Sequence, residues 1–61
     1  MPSGGYPMYV EDRECITAAF NDEIVKRYGM QMDWLVAYVG ARAAGALPHE
    51  AAFAAYVEWD L

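Results

Sequence analysis

The sequence predicts an all-α protein, a small three-helix bundle preceded by an extended N-terminal arm. Three observations support this prediction. Apolar residues recur at helical spacing, glycines and a proline stand at the expected helix boundaries, and the second half is rich in alanine. We assign residues 1–10 to the arm and residues 11–61 to a single helical domain. A chain of 61 residues has room for one small core.

The arm contains two prolines and two glycines, which disfavour helix formation. Its second half, residues 6–10, is rich in residues that favour extended structure, and we expect it to pack along the helical body. The alternative is a short strand that pairs with residues 56–59. Pro7 would confine such a strand to the edge of a sheet.

The first helix is predicted at residues 12–28. Asp12 is a suitable N-cap, and Gly29 is a suitable residue for the left-handed position that ends a helix. Apolar residues recur every four positions and form one stripe: Ile16, Phe20, Ile24 and Tyr28.

The second helix, predicted at residues 33–44, is apolar on nearly every side, and its residues divide by size. The small residues are Ala37, Gly40, Ala41 and Ala44, and the bulky ones are Trp34, Leu35, Tyr38 and Val39. A small chain cannot surround such a helix completely, so its uncovered surface suggests a contact with a second copy or with another protein.

The third helix is predicted at residues 48–57, with Pro48 at its first position. It repeats the division by size. Ala51, Ala54 and Ala55 lie on one side, and His49, Phe53, Tyr56 and Val57 lie on the other. We therefore expect the last two helices to form an antiparallel hairpin through their small residues. The remaining residues, 58–61, should form an acidic tail around an indole.

The net charge of −5 bears on the class of partner. An acidic surface repels nucleic acid and anionic membranes, and a basic groove on another protein attracts it. The longest apolar run covers residues 34–41, whereas a membrane span needs about 20 residues. The N-terminus lacks the features of a signal peptide, and a single cysteine fits a reducing compartment. These observations predict a cytoplasmic protein.

Catalytic residue types are scarce. The chain has one histidine, His49, and one cysteine, Cys15, which is expected to be a packing residue. Nothing in their local sequence indicates that they meet, and no glycine-rich loop resembles a phosphate-binding loop. The paired carboxylates lack calcium-site spacing. We expect no enzyme, no cofactor and no metal site. The outline of a helix-turn-helix is present, but its second helix offers few groups that could read bases.

Aromatic residues give the clearest indication of function, because the chain has more large rings than a small core can cover. We expect Phe20, Tyr38 and Phe53 in the core, and the rings nearest the termini on the surface. Together with acidic side chains, the latter form the predicted partner-binding set: Tyr6, Tyr9, Asp12, Glu14, Asp22, Glu23, Glu58, Trp59 and Asp60.

The sequence therefore predicts a small, acidic, non-catalytic protein that binds and blocks a larger protein, one that handles nucleic acid, through a basic groove. Closely spaced carboxylates can imitate phosphates in such a groove. In size and charge this resembles phage-encoded or mobile-element inhibitors such as anti-CRISPR proteins. The alternative is a homodimeric structural or accessory subunit of a complex.

Overall fold

The computed structural model describes residues 9–61, which form four helices. They are α1 (Val10–Phe20), α2 (Glu23–Arg27), α3 (Gln31–Ala43) and α4 (Pro48–Glu58). No strand occurs within residues 9–61, so the all-α prediction is confirmed. Residues 56–58 are helical, and the alternative strand at residues 56–59 is therefore wrong. Residues 1–8 of the predicted arm, including Tyr6, lie outside the described residues. Tyr9 and Val10 are the two arm residues that the structure describes.

The predicted first helix is divided into α1 and α2. Asp22 has an extended backbone, with ψ 131°, and its carboxylate accepts hydrogen bonds from the backbone N–H groups of Ile24 at 2.8 Å and Val25 at 3.1 Å. Asp22 thus caps a new helix instead of continuing the old one, because a short acidic side chain competes for backbone donors. The prediction of one helix over residues 12–28 is wrong at this point.

The start of α1 also differs from the prediction. The helix begins at Val10, so Asp12 lies inside the first turn and is not the N-cap. Its carboxylate accepts a hydrogen bond from the backbone N–H of Tyr9 at 3.0 Å, and Tyr9 is the capping position. Asp12 therefore satisfies a donor at the helix start from within the helix.

Three helices end in the same Schellman motif, in which one residue adopts a left-handed conformation. That residue is Gly29 after α2 (φ 64°), Gly45 after α3 (φ 110°) and Asp60 after α4 (φ 57°). In each motif the next residue donates its backbone N–H to the carbonyl five positions earlier. The donors and acceptors are Met30 and Val25, Ala46 and Ala41, and Leu61 and Tyr56.

The helices pack with α3 at the centre. Asp12, near the start of α1, contacts Arg42 near the end of α3, and Trp59, after α4, contacts Asp33 near the start of α3. Both α1 and α4 therefore run antiparallel to α3. The α3–α4 pair is the most extensive helix pair, as the predicted hairpin requires. Ala51 and Ala55 are buried in it.

The core is aromatic at its centre. Trp34 and Tyr38 of α3 are fully buried and stacked, with ring centroids 5.1 Å apart, and Tyr56 of α4 packs against Trp34 at 5.5 Å. The Trp34 indole N–H is buried without an acceptor within residues 9–61. These rings fix the side of α3 that faces inward, and they leave its opposite side on the surface.

Several predictions of burial are wrong for a common reason. Phe53 was expected in the core but is 71% exposed, and Gly40 and Ala44 were expected in a helix contact but lie on the surface. On α4, Ala51 and Ala55 face inward, so Phe53 on the opposite side faces solvent, and Ala54, which was predicted to lie with them, is also exposed. Phe20 is half-buried. No helix in the described part of the chain has the length and hydropathy of a membrane span.

Candidate functional site

The bundle has two ends of different character. The end that we call the Asp12 end is formed by Tyr9, Asp12, Arg42 and the start of α4 at Pro48. Asp12 is fully buried there. Its carboxylate accepts hydrogen bonds from the Tyr38 hydroxyl at 2.5 Å and from Arg42 Nε at 2.8 Å, in addition to the Tyr9 backbone N–H. Asp12 therefore joins the start of α1 to α3.

Arg42 extends this network beyond Asp12. Its Nη1 donates to the carbonyl of Ala46 at 2.8 Å, and its guanidinium carbon lies 5.9 Å from the centroid of the Tyr9 ring. The first contact holds the segment between α3 and α4, and the second is a cation–π contact. One side chain thus links the end of α3 to two other parts of the fold.

Electrostatics agree with this geometry. The hydrogen bond from Arg42, assisted by those from Tyr38 and Tyr9, lowers the pKa of Asp12 from 3.8 to about 2, although burial acts in the opposite direction. Burial and the neighbouring carboxylate raise the pKa of Tyr38. Asp12 is therefore ionised, paired and enclosed. It belongs to the predicted partner-binding set, but in this position it cannot touch a partner and serves the fold.

A pocket of about 610 Å³ opens at the Asp12 end. Its lining includes Cys15 and His49, the two residues with the most reactive side-chain types, together with Glu11 and Glu14. No hydrogen bond joins the Cys15 thiol to the His49 imidazole among the contacts of residues 9–61. The contact that would activate the thiol in a nucleophilic site is thus not formed. Within the same residues no group of three acidic, histidine or cysteine side chains is arranged to bind a metal.

The opposite end, which we call the Trp59 end, is formed by Asp22, Glu23, Asp33 and the segment from Glu58 to Asp60. The indole of Trp59 is 40% exposed, and its N–H donates to the backbone carbonyl of Asp33 at 3.1 Å. The hydrogen bond restrains the orientation of the indole ring, and part of the Trp59 side chain stays accessible to solvent. Leu61, the next residue but one, is half-buried against the core and anchors the tail.

No ion pair recorded within residues 9–61 involves a carboxylate at the Trp59 end. The single ion pair recorded within residues 9–61 is that of Arg42 with Asp12, at the other end. Glu23, Glu58 and Asp60 are exposed. Asp22 is half-buried, and its carboxylate caps α2. Burial raises the pKa of Tyr56, and the charge of the nearby Asp22 adds to this effect.

The outer face of α4 carries two exposed apolar side chains. Phe53 is 71% exposed and Val57, one turn later, is 61% exposed. Residues four positions apart lie on one face of a helix, so the two side chains form a continuous apolar patch. Glu50 and Glu58 flank the patch and are also exposed. The patch faces away from α3, whereas the Trp59 indole is hydrogen-bonded to α3 through Asp33.

The predicted partner-binding residues are thus divided between the two ends. Tyr9 is exposed beside Arg42, and Glu14 is exposed beside the pocket, both at the Asp12 end. The Trp59 end brings the others together: Asp22, Glu23, Glu58, Trp59 and Asp60. Sequence reasoning missed Phe53 and Val57 as surface residues. Their size suggested core positions, and no local pattern shows which side of an apolar helix faces inward.

Comparison with protein-family models, with curated proteins and with solved structures gave no match.

Proposed function

We propose that this chain is a non-catalytic binding protein whose Trp59 end occupies a basic and partly apolar groove on a larger protein. The observation that carries the proposal is the exposed Trp59 side chain, held in place by Asp33 and flanked along the chain by Glu58 and Asp60, which have no ion pair within residues 9–61. Tryptophan is enriched among the residues that dominate binding energy at protein interfaces.

A fixed indole is well suited to this role. Binding normally costs about 0.5–1.5 kcal/mol for each mobile side chain that becomes ordered. The Trp59 ring already has a hydrogen bond to Asp33 and lies beside a tail that Leu61 anchors. Most of the entropy that ordering the Trp59 ring would cost is therefore already lost in the unbound protein. The exposed area of the ring can then contribute to affinity.

The charge pattern indicates the chemistry of the partner. Glu23, Glu58 and Asp60 are exposed acids without an ion pair to any other described residue, so a groove lined by lysine or arginine would complement them. Grooves that combine basic and apolar surface are typical of proteins that handle nucleic acid, and we propose this class as the target. Inhibition by occupation of such a groove is the mode of action that follows, as expected of a phage- or mobile-element-type inhibitor.

The test is quantitative capture from a lysate of the organism that encodes the chain, followed by affinity measurements with the captured protein. The charge-reversal variant Glu23→Lys/Glu58→Lys should weaken binding by at least about tenfold, since each lost complementary contact is worth about 1 kcal/mol or more. The matched control is Glu11→Lys/Glu14→Lys, which changes the net charge equally at the other end. It should change affinity by less than about threefold.

Two further measurements complete the test. Trp59→Ala should weaken binding by at least about tenfold while the protein remains folded by circular dichroism. Nucleic acid bound by the captured protein should compete with the wild-type chain. Equal losses in both charge-reversal variants would show that only net charge matters, and retained affinity in Trp59→Ala would exclude the indole as an anchor. A lack of competition would reject the nucleic-acid-handling class.

A further inference from the structure

The outward side of α3 carries an apolar surface that begins at Met32, next to Asp33 of the Trp59 end, and runs toward Ala43. We call it the α3 stripe; it consists of Met32, Val36, Val39 and Ala43, all exposed. Val36 at its middle is 69% exposed. Spacings of four, three and four residues place these side chains on one face, over about 16 Å of helix. No member of the stripe carries a charge or a side-chain hydrogen-bonding group.

The order of side-chain sizes makes the α3 stripe complementary to itself. When two copies of α3 are placed antiparallel about their midpoint, Met32 of each copy lies opposite Ala43 of the other, and Val36 lies opposite Val39. A long side chain thus meets a short one at both ends, and two β-branched side chains meet at the centre. A two-fold axis generates this match automatically, because each contact occurs twice.

Gly40 borders the stripe and favours a close approach. It is exposed, and a Cβ built at this position would meet no atom within 4 Å. A glycine in the interior of a helix costs about 1 kcal/mol relative to alanine, and nothing within residues 9–61 uses the space it leaves. A second helix that packs on the stripe would use it.

Charge distinguishes this face from the other exposed apolar face. The Phe53–Val57 patch is flanked by Glu50 and Glu58, so a second copy placed there would bring like charges together. The α3 stripe has no charged member. On α3 the stripe is bordered by one exposed carboxylate, Asp33, where the patch on α4 is bordered by two, so two copies of a chain of net charge −5 meet on the stripe with less repulsion.

We propose that the α3 stripe is the seam of a two-fold symmetric dimer of this chain. One helix face buries roughly 400 Å² per partner, about half of a standard stable interface, so the dimer is weak and forms at concentrations on the order of 100 µM. The stripe lies on the side of α3 that faces away from α4. Trp59 and the tail of each copy therefore remain outside the seam, and the dimer would present two exposed Trp59 side chains at once.

Sedimentation velocity from about 10 µM to about 1 mM provides the test. The wild-type chain should pass from monomer to dimer in this range. Val36→Glu and Val36→Lys should both remain monomeric, and using both signs separates lost packing from altered net charge. The controls are Val57→Glu and Val57→Lys on the α4 face, where the exposure is similar at 61%. They should dimerise like the wild type.

A size exchange tests the register of the seam. Met32→Ala and Ala43→Met should each weaken the dimer by about fivefold or more, and the double variant should restore it, because the long side chain again meets the short one. A wild-type monomer at about 1 mM overturns the proposal. Equal loss in the Val36 and Val57 variants, or no recovery in the double variant, shows that the α3 stripe is not a seam in this register.

Discussion

The two ends of the bundle join α3 to a neighbouring helix in opposite ways. At the Asp12 end a carboxylate is buried and receives donors from three residues. At the Trp59 end a tryptophan that is 40% exposed donates to a backbone carbonyl, and the nearby carboxylates have no ion-pair partner in the part of the chain that the structure describes. Charged groups stabilise the fold at the first end and are left available at the second. The same residue type thus serves two purposes, according to its neighbours.

Helix dipoles make the difference sharper. Arg42 lies in the last turn of α3, where a cation is favoured, and it is the partner of Asp12. Glu58 and Asp60 lie at the end of α4, where negative charge is disfavoured by a few tenths of a kcal/mol or more. The Asp12 end follows the electrostatic preference of its helices. At the Trp59 end the two acids that follow α4 depart from this preference, whereas Asp22, Glu23 and Asp33 lie at helix starts and agree with it.

The largest expected effect is at Asp12. Asp12→Asn removes the charge from a buried pair, and removal of one partner typically costs about 3–5 kcal/mol. Most of the stability of a chain this small would be lost, since small domains are stabilised by about 0.1 kcal/mol per residue. Urea or thermal unfolding followed by circular dichroism measures the loss. Glu14→Gln, on the same helix but exposed, is the control and should change stability by less than about 0.5 kcal/mol.

Because Asp12→Asn can unfold the chain, Tyr38→Phe provides a milder version of the same test. This substitution removes one hydrogen bond to Asp12 and keeps the ring stacked on Trp34. We expect a loss of about 1–2 kcal/mol. An unchanged stability in Tyr38→Phe would mean that the network at the Asp12 end does not stabilise the fold, and the contrast between the ends would then lose its basis.

A smaller effect is expected from acid. The pKa of Asp12 is about 2 in the folded chain and 3.8 without its neighbours. The unfolded chain therefore takes up the proton first as the pH falls. The stabilisation is complete above about pH 4 and is lost as the pH falls through about 2, by about 2 kcal/mol in total.

Carbon-13 NMR of the Asp12 carboxyl group measures this titration directly. A midpoint near 2 is expected in the folded wild type, and a higher midpoint in Tyr38→Phe, where one of the hydrogen bonds that lower the pKa is absent. A midpoint near 3.8 in the folded wild type would show that Arg42 and Tyr38 do not hold the ionised form.

Local signals were sufficient to predict the last two helices. Pro48 and Gly45 mark boundaries that the structure reproduces, and the alanines of α4 correctly indicated a close hairpin with α3. The break between α1 and α2 was also present in the sequence, since Asp22 followed by Glu23 is typical of a helix start. The regular apolar stripe across this position concealed it.

The positions of Asp12 and Phe53 depend on tertiary contacts that local patterns do not contain. Asp12 is buried because Arg42, thirty residues later, reaches it. Phe53 is exposed because Ala51 and Ala55, on the other side of α4, pack against the aromatic rings of α3. A helical wheel identifies the two sides of an apolar helix but not the one that packs. The tail residues around Trp59 were therefore predicted correctly as surface residues, whereas Phe53 on α4 was not.

The smallest effect has the opposite sign and concerns Asp60. At two of the three Schellman motifs the left-handed residue is glycine, and at the Trp59 end it is Asp60, with φ 57°. A residue with a Cβ is less stable in this conformation than glycine, so Asp60→Gly should raise the stability by about 0.5–1 kcal/mol. Thermal unfolding measures the gain, and Gly45→Ala should produce a loss at the corresponding position after α3.

The value of Asp60→Gly lies in combining this measurement with binding. If the carboxylate is retained for a partner, the variant should be more stable and yet bind more weakly, by about threefold to tenfold. Asp60→Asn separates the two effects, because asparagine tolerates the left-handed conformation but lacks the charge. A variant that is both more stable and equally tight in binding would show that Asp60 carries strain without a function. The Trp59 end would then consist of the indole and its helical acids alone.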